Sequence, residues 1–292
     1  MELFRSLLFV PGNRDDMLAK AATLPADAVV PDMEDSVPDK EKQHARQVIR
    51  EAVKALAGQG QTIIPRINAL NTGLAKEDLA AVVCAQVYGV TVGKVDSPWE
   101  IRQLCDLLDG LERQVGLPLG HTRLIPLLET SRAIVNAYQI ASASPRIVGV
   151  AFGAEDFTND MGVQRFKDGR EVAYPRAAVA VAARAAGVLA FDTPYVNFRD
   201  KEGLEREIRS VVPLGFNGKF AIHPGQLDTI NMLFTPSPQE IEYARKVIAA
   251  FEEAEARGSD ATSLDGKMID VPVVKRARNL LALADSMPRR RA

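Results

Sequence analysis

Apolar and polar positions along this chain switch repeatedly between two periods. Short runs of branched and apolar residues, each about the length of a strand, lie at 6–10, 28–33, 62–67, 87–94, 123–129, 147–153, 188–192 and 218–222. Between them stand longer segments with apolar residues three and four apart, the spacing of a helix that buries one face. Residues 40–56 form such an amphipathic segment, and 238–256 reads as a long surface helix. Segments 98–111 and 175–187 open on a proline, which a first helical turn accepts because its N–H groups have no intrahelical partner. Eight strand–helix pairs within roughly 250 residues are the arithmetic of a TIM (β/α)8 barrel in the α/β class. The competing architecture is a doubly wound open sheet. No G-x-G-x-x-G, no G-x-x-x-x-G-K-[ST] and no short-period repeat in the chain supports it.

Beyond the last long helix, residues 257–267 are rich in Gly, Ser and Asp and read as a flexible connector. A second helical stripe follows over 272–287, carried by Val273, Val274, Ala277, Leu280, Leu281 and Ala284. The pattern predicts a barrel domain over 1–256 and, over 257–292, a connector with a C-terminal helix that acts as a lid or as an arm on a neighbour. Arg289, Arg290 and Arg291 read as a solvated tail. The stretch 154–174 exceeds an ordinary connection and reads as a loop long enough to serve as a lid.

Composition narrows the function classes. Of the 292 residues, 47% are hydrophobic and 25% charged, which is a soluble globular balance with enough apolar matter for a sizeable core. Lys and Arg total 36 against 38 for Asp and Glu, so the excess of positive charge that a nucleic-acid partner demands is missing. Cys84 and Cys105 form no C-x-x-C pair and cannot build a disulfide framework or a zinc site. They read as core thiols of a cytoplasmic protein. The apolar run 7–10 is cut off by Pro11 and Gly12, and no uncharged stretch approaches the ~18 residues of a membrane span. The expectation is a chain that is neither exported nor membrane-bound.

In a barrel of this kind reactive groups collect at the C-terminal strand ends. Read in order, those ends offer Asp32, Glu34 and Asp35, then Arg66 and Asn68, Lys94, Glu129, Glu155 and Asp156, Asp192, and His223. Buried charges must be paired or bound to a metal. Glu129 and Asp156 close adjacent strands about 4.8 Å apart, so both carboxylates can reach one hard cation, Mg²⁺ or Mn²⁺. Each could equally cap a following helix. Arg66 offers a planar fork for a substrate carboxylate, or for a buried ion pair. Lys94 raises the option of a Schiff-base aldolase, which the surrounding carboxylates oppose by keeping its amine protonated. For His223 a helix-start role and a substrate contact stand side by side.

The segments RSLLFVPGNRDDMLAKA, DMEDSVPDKEKQHAR, PRINALNTG, LIPLLET, FGAEDFTNDMG, GFNGKFAIHPGQL and DGKMIDVPVVKRA, in this order, resemble the citrate lyase beta-subunit family. That family includes malyl-CoA and citramalyl-CoA lyases among the phosphoenolpyruvate/pyruvate-domain barrels, and the resemblance spans nearly the whole chain. It implies a TIM barrel, Mg²⁺ dependence, a coenzyme A thioester substrate and a homotrimer. Carried over by position, Glu129 and Asp156 match metal ligands. Arg66 matches the arginine that holds the oxo-acid carboxylate, and Glu34 the glutamate that supports metal-bound water and that arginine. Arg5, Glu155, Ile222 and His223 fall in segments that line the substrate cleft, and Asp270 matches an acid/base aspartate delivered into a neighbouring subunit's site. Gly93 stands where the family usually has Pro before Lys94. The implied reaction is reversible cleavage of a 3-hydroxyacyl-CoA into acetyl-CoA and a 2-oxo acid. Three alternatives stay open: the beta subunit of a citrate lyase acting with an acyl carrier protein, a metal-dependent hydroxy-oxo-acid aldolase, and a non-catalytic CoA-binding barrel.

Overall fold

A computed structural model of the chain describes residues 3–286; the arginine run 289–291 lies outside them. The described residues comprise two compact units that meet in sequence at Asn231 and Met232.

The first unit is a closed parallel barrel. Its strands are β1 (Ser6–Pro11), β2 (Ala28–Asp32), β3 (Thr62–Ile63), β4 (Arg66–Ile67), β5 (Gly89–Val92), β6 (Arg123–Leu128), β7 (Gly149–Phe152), β8 (Leu189–Asp192) and β9 (Gly218–Ala221). Every neighbour pair is parallel, and β1 pairs with both β2 and β9 to shut the cylinder. Each of the eight apolar runs read from the sequence supplies one staff of the barrel. The third is split into β3 and β4 around Pro65, which has no N–H to donate, although the Pro65 carbonyl still accepts from the Thr91 N–H at 2.9 Å.

Side chains alternate between barrel interior and helix layer. Leu7, Ala28, Val30, Ile64, Ile125, Leu127, Ala151, Leu189, Phe191 and Phe220 share one interior cluster, with Phe9 stacked on Phe220 at 4.7 Å. Outward-facing Asp192 and Lys219 are fully buried instead between staves and helices, where they join Arg176 and Glu207. Lys219 Nζ reaches Asp192 at 2.5 Å and Glu207 at 2.6 Å, and Arg176 reaches the same two acids at 2.9 Å each. Two cations and two anions thus neutralise one another away from water.

The stretch 154–174, long for a connection, is not one open loop. Helix Ala154–Asp160 takes up its first third and a short 3-10 turn, Arg170–Val172, precedes helix Ala173–Ala186.

In the second unit, helix Pro238–Ala256 packs on helix Val271–Ser286 through Val247, Phe251, Val274 and Ala277, and Ile269 joins the same cluster. Of the apolar stripe of the tail helix, Val274 and Ala277 are thus buried by its own chain, while Val273, Leu280 and Leu281 stay partly exposed. The predicted flexible connector also carries structure. Strands β10 (Thr262–Leu264) and β11 (Lys267–Ile269) form an antiparallel hairpin. Asp265 and Gly266 turn it with φ of 51° and 74°, the Asp-Gly pair that a tight hairpin turn selects.

Candidate active site

Period two carries the barrel's interior rows directly into its C-terminal mouth. Ala28 and Val30 are followed by Asp32, Ile64 by Arg66, and Ile125 and Leu127 by Glu129. The chain thus places two acids and a guanidinium where apolar packing ends, and all three are buried.

Arg66 is the hub. Its Nε and Nη2 each donate to Asp32 at 2.6 Å, a two-point pairing across register partners of β2 and β4. Its Nη1 faces Glu34 at 3.1 Å and Asp35 at 2.9 Å, and its guanidinium carbon lies 4.6 Å from the centre of the Phe9 ring. The fork expected for a substrate carboxylate is thus occupied by Asp32, and only Nη1 serves the mouth. Burial pushes the Asp32 carboxyl up, but the Arg66 charge and hydrogen bonds override it and leave it below its ordinary value.

Lys94 Nζ lies 2.8 Å from Glu34, and its backbone N–H donates to Glu129 Oε1 at 2.7 Å. Its φ of 56° is in the left-handed region, a cost accepted where both ends of one residue have work to do. Burial pulls its pKa down, but Glu34, Glu129 and Asp35 together hold it above the ordinary lysine value. The amine stays protonated, which leaves no free base for Schiff-base chemistry.

Glu129 sits between two glycines at the ends of the flanking strands. A Cβ on Gly93 would lie 2.6 Å from Glu129 Oε1 and 3.0 Å from Glu34 Oε2, and one on Gly153 would run into the Glu129 carboxylate. The absent side chains are what let the Glu129 carboxylate stand in the mouth. Burial, then the charges of Asp156 and Glu34, push its pKa up to about 8, with Lys94 and Arg66 opposing. Glu34 is raised as well, chiefly by burial, and its Oε2 is buried without a hydrogen bond. Asp156 is half-buried in the first turn of helix Ala154–Asp160, whose leading N–H donates to the Thr193 hydroxyl at 3.1 Å.

Five carboxylates thus face two cations, Arg66 and Lys94. Such an excess of hard oxygen donors, one of them strongly raised by burial and by its neighbours, fits a divalent cation of the Mg²⁺ type. No three Asp, Glu, His or Cys side chains among the described residues converge into a complete cage, so water and substrate would complete the shell of an ion held by Glu129 and Asp156.

Other expected residues lie elsewhere. Arg5 precedes β1 and is held by Asp27 through Nε at 2.8 Å and Nη2 at 2.7 Å. It stands at the opposite end of the strand from the acidic mouth, which corrects its placement in the cleft. Glu155 is exposed and paired with Arg165 at 2.9 Å, turned away from its neighbour Asp156 by one helical step. His223 stacks on Phe198 at 4.8 Å, and its Nδ1 accepts from the Gly225 N–H at 3.0 Å. It caps the short helix Pro224–Gln226 in a reciprocal pair with Gln226. Ile222, partly exposed, continues the interior row of β9 beyond Phe220. Asp270, in the second unit, caps helix Val271–Ser286 through Oδ1, which accepts from Val273 N–H at 3.1 Å.

Buried carboxylates gathered at the C-terminal mouth of a closed parallel barrel define an enzyme of the (β/α)8 class. The chain belongs to the HpcH/HpaI aldolase/citrate lyase family, whose model matches residues 5–224, and it is a lyase. It is 39% identical to the citrate lyase subunit beta of Leuconostoc mesenteroides subsp. cremoris over 97% of this chain and 94% of that one. Against the mitochondrial citramalyl-CoA lyase of Rattus norvegicus the identity is 35%, covering 97% and 86% of the two chains. The crystal structure of CitE from Mycobacterium tuberculosis, in complex with magnesium, acetoacetate and coenzyme A, superposes with a TM-score of 0.79 at 32% identity, covering 97% and 98%.

Proposed function

We propose that the chain is a Mg²⁺-dependent carbon–carbon lyase that reversibly cleaves a 3-hydroxyacyl-CoA, malyl-CoA or citramalyl-CoA in type, into acetyl-CoA and a 2-oxo acid. The observation that carries this reading is the carboxylate excess around Glu129, which suits a cation-bound hydroxy acid. The chemistry Mg²⁺ supplies there, held by Glu129 and Asp156, is Lewis-acid polarisation of the acyl hydroxyl and carboxylate. Arg66 contributes one donor, Nη1, to the substrate carboxylate in exchange for exposed Asp35. Glu34, held between Arg66 and Lys94, keeps that edge in place. Ile222 and the His223–Phe198 stack form an apolar wall for the thioester arm. As the bond breaks, the hydroxyl proton passes to a basic carboxylate of the mouth, the hydroxyl carbon becomes the 2-oxo carbonyl and the electron pair passes to the acetyl α-carbon. Asp270, lent by a neighbouring subunit of a homotrimer, delivers the proton that this carbon takes. The free thiols Cys84 and Cys105 suit a cytoplasmic setting.

The likeness to a citrate lyase beta subunit favours a second reading, in which a citryl thioester arrives on an acyl carrier protein. One screen decides between them. Purified protein with Mg²⁺ is given acetyl-CoA or acetylated acyl carrier protein, each with glyoxylate, pyruvate or oxaloacetate, and the thioester products are followed by mass spectrometry, with chelator as control. New 3-hydroxyacyl-CoA with glyoxylate or pyruvate supports the first reading. Condensation only with oxaloacetate and acetylated carrier protein supports the second.

A further inference from the structure

Behind the acidic mouth lies a third cation that takes no part in the ion pairs above. Lys42, in the first turn of helix Lys42–Gly58, is buried, and its Nζ donates to the backbone carbonyls of Met33 and Glu34 at 2.8 Å each. Among the described residues no carboxylate pairs with it. A buried ammonium satisfied by neutral carbonyls alone is an expensive way to hold a loop. It becomes favourable where a cluster of negative charge lies just beyond the peptide it binds.

That peptide carries Glu34. Its N–H donates to Asp32 Oδ1 at 2.8 Å while its C=O accepts from Lys42, so the residue is pinned at both ends. Asn68 Nδ2 adds a bond to the Met33 carbonyl at 2.9 Å and is itself fixed by Asp78. The side chain of Glu34 then stands between Lys94 and Arg66, at 2.8 and 3.1 Å. We propose that Lys42 is a positioning residue for Glu34, and through it for the cation-binding mouth of the barrel. It touches neither substrate nor cation; it sets where Glu34 stands. The inference rests on the cation-site reading above and deepens it.

A double-mutant cycle tests it on the full chain with Mn²⁺ as the probe. Lys42→Met keeps length and apolar stem, Glu34→Gln removes the charge that Lys42 is held to place, and the groove of about 530 Å³ beside Lys42 absorbs small changes in shape. Mn²⁺ affinity is read by electron paramagnetic resonance, and kcat and KM by the condensation assay. Supporting partners of ligands typically contribute 10–100-fold, so Lys42→Met should weaken Mn²⁺ binding about tenfold or more and lower kcat while the thioester KM moves less than about twofold. In the Glu34→Gln background the same substitution should change Mn²⁺ affinity little. Equal losses in both backgrounds, or unaltered binding in Lys42→Met, overturn the proposal. Should Lys42→Met fail to fold by circular dichroism, Lys42→Gln, which retains a donor for one carbonyl, is carried through the same cycle and read in the same way. Wild-type protein that binds Mn²⁺ yet turns over no thioester sinks the substrate reading and leaves the cycle readable; wild-type protein that binds no Mn²⁺ removes the cation site and this proposal together.

Discussion

Glu129 holds its proton far above the ordinary carboxylate range, and the cause is burial followed by the charges of Asp156 and Glu34. In the unfolded chain it titrates near 4.3 or so. Between that value and about 8 the cation-free folded state binds a proton that the unfolded state does not. Stability therefore falls as pH rises through this window. We expect the melting temperature in chelator to be lower at the alkaline end of the window than at the acid end, the fall to shrink in Glu129→Gln, and saturating Mg²⁺ to remove the Glu129 contribution by displacing its proton. A melting temperature that rises with pH in chelator would contradict the raised Glu129. Asp156→Asn should weaken Mg²⁺ binding by at least the 10–100-fold typical of a mere supporting partner, with the barrel still folded by circular dichroism; an unaltered titration would remove Asp156 from the site. Glu129, Asp32 and Arg66 were legible because period two and a strand end suffice to place them. A buried ion pair for Arg66 was open in the sequence, but that Asp32 takes the fork depends on the register between β2 and β4. Arg5 misled because the segment that carries it spans both ends of β1, and only the Pro11 end faces the acidic mouth.

The staves were readable as elements because strands buried on both faces appear as unbroken apolar runs. The second unit was read less well. Gly, Ser and Asp around 257–267 suggest slack, yet the Asp265-Gly266 pair flanked by Leu264 and Met268 is a hairpin signal in its own right. Gly266 holds a φ of 74°, where a Cβ is strained, so Gly266→Ala should cost about 1 kcal/mol in a denaturant titration. No loss would mean that the turn relaxes freely. The glycines that matter to chemistry are of another kind. Gly93 and Gly153 are needed for the space beside Glu129, a requirement that only the neighbouring strands reveal.

At the scale of the whole molecule, the proposal that Asp270 serves a neighbour's barrel has its own test. Asp270→Asn and Arg66→Ala should each be nearly inactive, the first lacking the proton donor and the second the guanidinium hub. Oligomers refolded from both would contain sites with an intact Arg66 from one chain and an intact Asp270 from another, and should recover a fraction of activity. Proven hybrids that stay dead would place Asp270 in its own chain's site. The charge quartet of Arg176, Asp192, Glu207 and Lys219 bears on the history of the fold. Removing one member of such a buried set strands its partners at about 3–5 kcal/mol, whereas replacing the whole set by apolar groups can be neutral. Descendants of this chain can therefore hardly lose these positions one at a time. The quartet should be inherited as a block, since a lineage that abandons it must cross a poorly folding intermediate or change several residues together.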